Sequence, residues 1–265
     1  MTTDRADLTI KALRTGHDEL ASLVRGFTED DLARPSGASE WDVSQVLSHL
    51  GSGAEISLAV LEGALNGTGS PDGDFNPSVW ARWDAMTPAE RAAGFLEADE
   101  VLVLRYEGLD APARADLRIE LGFLPAPVDV ATAAGLRLSE FAQHAWDVRV
   151  GFDSTATLAP EATEPLLDQT ASLIHFLAKP AALDGRQVAL AVRLISPDRS
   201  FGLDLGDAAT IGDTPAQPDA LLTAPAEWWL RAVTGRHAPD HTPASVVLTG
   251  DAITLDDLRR VFPGF

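Results

Sequence analysis

The sequence predicts an α + (α+β) fold class, in which an N-terminal four-helix bundle is followed by a small α+β domain. Apolar residues recur at helical spacing through the first two-thirds of the chain, and they alternate at every second position after residue 182. The 265 residues, of which 45% are hydrophobic, are enough for two cores. We therefore predict domains at residues 1–181 and 182–265.

Apolar helical spacing or helix-start signals predict four helices in the first domain, at residues 7–27, 43–63, 88–108 and 130–150. Asp42 is a predicted N-cap, and Gln45 completes a capping box. Thr87 precedes Pro88 at the start of the third helix, and Asp129 caps the fourth. Four long helices joined by loops are typical of an antiparallel bundle.

The second domain has the period of β-strands. Val188, Leu190, Val192 and Leu194 alternate with other residues, which predicts a strand. The remaining predicted elements are strands at residues 201–205 and 245–248, and helices at residues 162–178, 225–235 and 255–262. The helix at 162–178 is expected to pack on the bundle or to link it to the second domain.

Composition limits the classes of partner. The chain has 40 acidic and 20 basic residues, a formal charge of −20, which argues against nucleic acids and anionic membranes as partners. It has no cysteine, so disulfides and protein thiol nucleophiles are excluded. Neither a secretory signal nor a membrane-spanning segment is evident. The sequence predicts a soluble cytoplasmic protein that acts on a small molecule, and it leaves the oligomeric state open.

Three side chains are candidates for a metal site. Glu140 and His144 are four residues apart and project from one face of a predicted helix. His49 lies in the second predicted helix, beside its apolar stripe. Two imidazoles and a carboxylate form a suitable catalytic zinc shell. The alternatives are a surface Glu–His pair and a His49 that is satisfied within the core.

Two arginines and three further histidines are weaker candidates. Arg231 and Arg236 flank the end of a predicted helix, where either could clamp a substrate carboxylate or cap the helix. His17 is expected on a solvated face, or near the mouth of the metal site. His237 and His241 flank a proline in a predicted surface loop, although their spacing could also suit a metal.

Several of these segments resemble known families. Residues 41–50 (WDVSQVLSHL) and 140–147 (EFAQHAWD) resemble the two metal-binding segments of DinB-like proteins. Residues 228–230, 234–236 and 255–262 resemble the C-terminal domain of mycothiol-dependent maleylpyruvate isomerases, which is similar in fold to sterol carrier proteins. The resemblance covers almost the whole chain in order.

The resemblance implies roles for individual residues. His49, Glu140 and His144 would be the ligands of a Zn²⁺ ion. Arg236 would be the arginine of the C-terminal domain that serves the active site, and Arg231 would be the second candidate for that role. The cofactor would be mycothiol, the low-molecular-weight thiol of actinobacteria.

The implied reaction is an isomerisation or a thiol transfer. Zinc in a His₂Glu site lowers the pKa of a bound thiol, and the resulting thiolate can add to an electron-poor double bond. Rotation and elimination then give the trans isomer, whereas stopping after addition gives a transferase. Two alternatives remain: a thiol-independent enzyme of secondary-metabolite biosynthesis on the same scaffold, and a non-catalytic protein that binds a small ligand.

Overall fold

The computed structural model describes residues 2–264 and their side chains from residue 5 onward. The chain divides into two compact units, Met1–Ala156 and Thr157–Phe265. Within residues 2–264, no helix is both long enough and apolar enough to cross a membrane. The first unit is helical and the second combines a sheet with helices, so the predicted mixture of helices and strands is confirmed.

Long helices dominate the first unit. In chain order its elements are α1 (Thr2–Val24), α2 (Glu29–Leu32), α3 (Val43–Asn66), α4 (Phe75–Asp84), α5 (Pro88–Glu107), α6 (Ala111–Asp116), β1 (Arg118–Ile119), β2 (Val128–Asp129) and α7 (Val130–Val150). Helices α1, α3, α5 and α7 pack in a ring, each against two of the others. Their apolar faces enclose a core that includes Leu13, Leu47, Phe95 and Phe141.

Three of the predicted helix starts are confirmed, whereas the first helix begins at Thr2 rather than at residue 7. The Asp42 side chain accepts the Gln45 backbone N–H, and the Gln45 side chain accepts the Asp42 backbone N–H. Thr87 and Glu90 form the same reciprocal pair at the start of α5. The Asp129 side chain caps α7. These bonds satisfy backbone donors that have no partner within the helix, which is why the local sequence is enough to locate the starts.

The end of α3 differs from the prediction. The sequence predicts an end near Gly63, but the helix continues to Asn66 and ends at Gly67, which has a left-handed φ of 69°. Gly63 lies inside α3, against the loop that follows the helix. A Cβ at this position would lie 1.9 Å from the carbonyl oxygen of Gly69, so the glycine allows the following loop to pack directly against the helix.

Gly51 of α3 is also in close contact with another part of the first unit. A Cβ at Gly51 in α3 would lie 2.1 Å from Cη2 of Trp83, a ring that is 2% exposed and is held by a hydrogen bond from its Nε1 to Glu55. We expect Gly51→Ala to lower the free energy of unfolding by about 2 kcal/mol, because overpacking outweighs the gain in helix propensity. Urea denaturation measures this. Gly73→Ala, where a Cβ meets open space, is the control, and equal stability of the two variants would contradict the expectation.

The second unit is a five-stranded sheet with helices. Its elements are α8 (Pro160–Leu177), β3 (Val188–Ile195), β4 (Arg199–Leu205), β5 (Ala209–Gly212), β6 (Ala220–Pro225), α9 (Ala226–Ala232), β7 (Val247–Thr249), α10 (Leu255–Val261) and short 3-10 helices at Pro180–Leu183 and Pro239–His241. The strand order is β5-β4-β3-β6-β7, and only the β3–β6 pair is parallel among the described strands. The alternation predicted for β3 is confirmed, since Val188, Leu190, Val192 and Leu194 are buried.

The second unit differs from the sequence-based expectation in two ways. The sequence places the domain boundary at residue 182, whereas the chain divides after Ala156, so α8 belongs to the second unit. The reason is that α8 packs against α9 and β5. The sequence also misses β6, although it lies beside β3 in the interior of the sheet. Its short run of six residues, ending in a proline, carries little periodic signal.

Candidate metal centre

The three predicted metal-ligand side chains lie together in the first unit. His49 comes from the second turn of α3, while Glu140 and His144 come from adjacent turns of α7. His49 Nε2 lies 3.2 Å from Glu140 Oε2, and His144 Nε2 lies 3.7 Å from the same oxygen. All three donor atoms lie within 4.8 Å of one another. The pairing of α3 with α7 thus joins residues that are 91 positions apart in sequence.

These distances suit a tetrahedral ion. With zinc–nitrogen and zinc–oxygen bonds of about 2.0–2.1 Å, two ligand atoms at tetrahedral corners are about 3.3 Å apart. The separations of 3.2 and 3.7 Å differ from that value by a few tenths of an ångström. The donor set, two imidazoles and one carboxylate, is one that divalent zinc uses in catalytic sites. The residues present therefore fit the metal that the sequence predicts.

The group is open to solvent. The side chains of Glu140 and His49 are 59% and 39% exposed, and that of His144 is 13% exposed. Among the described residues, no fourth histidine, aspartate or glutamate joins the group. Structural zinc sites are closed by four protein ligands, whereas catalytic sites keep one position for water or substrate. Three candidate ligands with partly exposed side chains are what is expected of the second kind.

An indole ring forms one wall of this group. The Trp41 ring centroid lies 5.2 Å from that of His49 and 5.9 Å from that of His144, with tilted ring planes. Trp41 immediately precedes the capped start of α3, so the cap also positions the indole. At 36% exposure, the ring shields part of the imidazole pair while leaving another part accessible.

The carboxylate of Glu140 is held in its charged form. The hydrogen bond from His49 lowers its pKa to about 2, assisted by the charges of His144 and Arg137 and opposed by partial burial. Glu140 is therefore ionised throughout the neutral range. Protonation of this carboxylate therefore does not compete with metal binding in the neutral range.

A fourth residue, which the sequence does not single out, contacts this group. Asp147 lies three residues after His144 on α7 and accepts a hydrogen bond from His144 Nδ1 over 2.8 Å. Its side chain is fully buried. The spacing of three residues on one helix face was a signal available in the sequence. What the sequence does not show is that this face is buried.

A network of charged side chains crosses the interior of the bundle beside the group. Arg137, one turn before Glu140, donates to Asp99 Oδ1 over 2.6 Å and to the Leu50 carbonyl over 2.9 Å. His17 Nδ1 lies 2.8 Å from the other oxygen of Asp99. The expectation that His17 lies on a solvated face is wrong, because its side chain is 2% exposed. The α1–α5 contact that buries it is not visible in the local sequence.

His17 belongs to a second possible metal-binding group, with Asp18 and Glu100. An arginine already pairs with two of its three members. Arg14 Nη1 lies 2.6 Å from Glu100 Oε2 and 3.2 Å from Asp18 Oδ1, so a metal ion there would face a fixed positive charge. This cluster is therefore an ion-pair network rather than a metal site.

The two predicted arginines lie in the second unit and differ in their surroundings. Arg231 is 3% exposed and makes a bidentate pair with Glu227, one turn earlier on α9. Its Nη1 donates to the carbonyls of Arg236 and His241, so it ties the helix to the following loop. Arg236 is partly exposed, and its Nη1 donates to the Thr234 carbonyl over 3.3 Å. The contacts of Arg231 are thus structural, and Arg236 is the more exposed of the two.

The expectation of a surface loop around His237 and His241 is wrong for one of them. His237 is 3% exposed, and its Nε2 lies 2.9 Å from the Phe262 carbonyl oxygen. Burial lowers its pKa. His237 is therefore a packed residue that links the loop to the end of α10. His241 is partly exposed, at the end of a 3-10 helix.

Solved structures of known proteins share the fold of this chain. Crystal structures of the mycothiol-dependent maleylpyruvate isomerase and of a point mutant of it share the fold, each with a TM-score of 0.64, 12% identity and coverage of 92% of both chains. Two uncharacterized proteins from different strains of Mycobacterium tuberculosis are each 25% identical over 157 residues, which are 57% of this chain and 71% of the relative.

The family assignment rests on the first unit. A family model described as the mycothiol maleylpyruvate isomerase N-terminal domain matches residues 13–149, more than half of the chain. That range contains His49, Glu140 and His144. The resemblance noted in the sequence is thereby confirmed, and the chain belongs to the mycothiol maleylpyruvate isomerase N-terminal domain family.

Proposed function

We propose that this protein is a zinc- and mycothiol-dependent enzyme that isomerises, or transfers a thiol to, a small electron-poor molecule. The observation that carries the proposal is the open group of His49, Glu140 and His144, with donor distances that suit zinc. Family membership supports the choice of thiol. The absence of cysteine from the chain supports an external nucleophile.

The residues of the group contribute different donors and charges to metal binding. His49 and His144 offer neutral nitrogen donors, and Glu140 contributes one negative charge, so a bound Zn²⁺ keeps a net charge of about +1. Zinc held in this way supplies a Lewis acid that lowers the pKa of a bound thiol. Trp41 limits the access of water from one side of the imidazoles.

Zinc content and turnover test the proposal directly. Protein purified without chelators would be analysed for zinc by elemental analysis, and then assayed with maleylpyruvate in the presence and absence of mycothiol. We expect about one zinc per chain and cis–trans conversion that requires the thiol. Consumption of the thiol without a trans product would assign the transferase branch. Absence of zinc, or turnover that is independent of the thiol, would overturn the proposal.

Arg236 is proposed to bind a carboxylate of the substrate. A guanidinium holds a carboxylate through two parallel hydrogen bonds, which the single ammonium of lysine cannot reproduce. We expect Arg236→Lys to lower kcat/KM by about 10- to 100-fold, the loss of one charge-assisted hydrogen bond, while zinc content stays unchanged. Arg193→Lys, at an exposed position of β3, is the control. Unchanged turnover in Arg236→Lys would remove this residue from the active site.

A further inference from the structure

The two ring nitrogens of His144 face different carboxylates. Nε2 lies 3.7 Å from Glu140 Oε2, on the side where His49 also converges. Nδ1 lies 2.8 Å from Asp147 Oδ2, on the side of the protein interior. The ring of His144 is thus placed between the candidate metal position and a buried acid.

The interior contact selects one tautomer of His144. With the Asp147 carboxylate as the acceptor of the 2.8 Å contact, the proton lies on Nδ1. In the neutral imidazole, Nε2 then carries the lone pair. That lone pair is directed to the side of Glu140 and His49, where a metal would be bound.

The backbone of Asp147 also forms a hydrogen bond with the loop before α3. The Gly37 backbone N–H donates to the Asp147 carbonyl oxygen over 2.8 Å, which attaches the loop before α3 to α7. A Cβ at Gly37 would lie 2.9 Å from Asp147 Oδ1 and 2.8 Å from Cγ1 of Val150. Glycine at this position therefore leaves the room that the Asp147 carboxylate occupies.

We propose that Asp147 is a positioning residue, which fixes the tautomer and the orientation of His144 for metal binding. This inference rests on the proposed function, because it assigns a role toward the metal of that site. Carboxylates in this outer position commonly contribute 10- to 100-fold to metal affinity. Asp147 does not contact the metal position, since His144 lies between them.

The test combines zinc affinity with the protonation pattern of the imidazole. Asp147→Asn keeps the size of the side chain but can donate a hydrogen bond to Nδ1, which favours the tautomer with the proton on Nε2. We expect zinc affinity, measured by competition with a chelator, to fall by about 10- to 100-fold. In the metal-free protein at about pH 9, where imidazoles are neutral, ¹⁵N NMR of His144 should show the proton on Nδ1 in the wild type and a shift toward Nε2 in the variant.

Three further variants separate positioning from general damage. Asp116→Asn, an exposed aspartate of the first unit, should leave both readouts unchanged. Gly37→Ala should weaken zinc binding by crowding Asp147 together with Trp146 and Val150, and it keeps the inference testable if Asp147→Asn does not fold. Gly73→Ala is its control, because a Cβ there meets nothing within 4 Å.

The possible results are distinct. Zinc affinity within about twofold of the wild type in both Asp147→Asn and Gly37→Ala would overturn the role of Asp147, as would a wild-type His144 that carries its proton on Nε2. If the wild type binds no zinc, the proposed function fails. The NMR comparison then decides separately whether Asp147 sets the tautomer of His144.

Discussion

His144→Ala is expected to remove stoichiometric zinc from the purified protein. Of the three side chains in the candidate site, that of His144 is the least exposed, at 13%. Its second ring nitrogen, Nδ1, also lies 2.8 Å from the buried carboxylate of Asp147. Its loss would leave two ligands, which is fewer than a zinc site in a protein normally has. The loss of affinity should exceed the 10- to 100-fold effect of removing an outer partner.

Elemental analysis and chelator competition measure this effect. His175→Ala is a matched control, because His175 is exposed on α8 of the second unit and lies outside the metal group. Zinc content should be near one per chain in the wild type and the control, and near zero in His144→Ala. Glu140→Gln should also weaken binding, because it removes the negative charge of the site. A full zinc complement in His144→Ala would refute the assignment of the site.

Of the substitutions proposed for this protein, Asp99→Ala is expected to lower the free energy of unfolding the most. Asp99 is 1% exposed and accepts hydrogen bonds from Arg137 over 2.6 Å and from His17 over 2.8 Å. Without it, the guanidinium of Arg137 would lose its carboxylate partner in the interior, and His17 would keep only Glu100. Breaking a buried ion pair in this way typically costs about 3–5 kcal/mol. We therefore expect a decrease of that size in the free energy of unfolding.

Urea denaturation of the metal-free protein gives the comparison. Glu107→Ala is the control, because Glu107 also pairs with an arginine, Arg14, but has a side chain that is 37% exposed. Surface ion pairs contribute about 0–1 kcal/mol, so this variant should be nearly as stable as the wild type. If Asp99→Ala were no less stable than Glu107→Ala, the buried network would not be a major source of stability.

Asp99 also bears on the candidate site through Arg137. The charge of Arg137 contributes to the lowered pKa of Glu140, and Asp99 holds that guanidinium in place. The interior network and the metal group are thus joined along α7. A stability measurement in the absence of metal separates the structural contribution of Asp99 from any effect on zinc binding.

The local features of this protein could be predicted from its sequence. The starts of α3, α5 and α7 depend on hydrogen bonds between residues three positions apart, and apolar spacing along each segment identifies its buried face. The chemistry of the candidate site was also accessible. His49 follows a recognisable capped start, and Glu140 and His144 are one turn apart on one helix.

Only the tertiary structure decided which polar groups are buried and with what partners. His17 and Asp99 are 82 residues apart, and neither local segment shows that α1 and α5 bring them together. The same holds for Asp147, whose role follows from the packing of the Gly37 loop on α7. The division of the chain near residue 156 and the interior place of β6 in the sheet likewise depend on packing between distant elements. Local hydrogen bonds are encoded over a few residues, whereas burial is set by the faces that neighbouring elements cover.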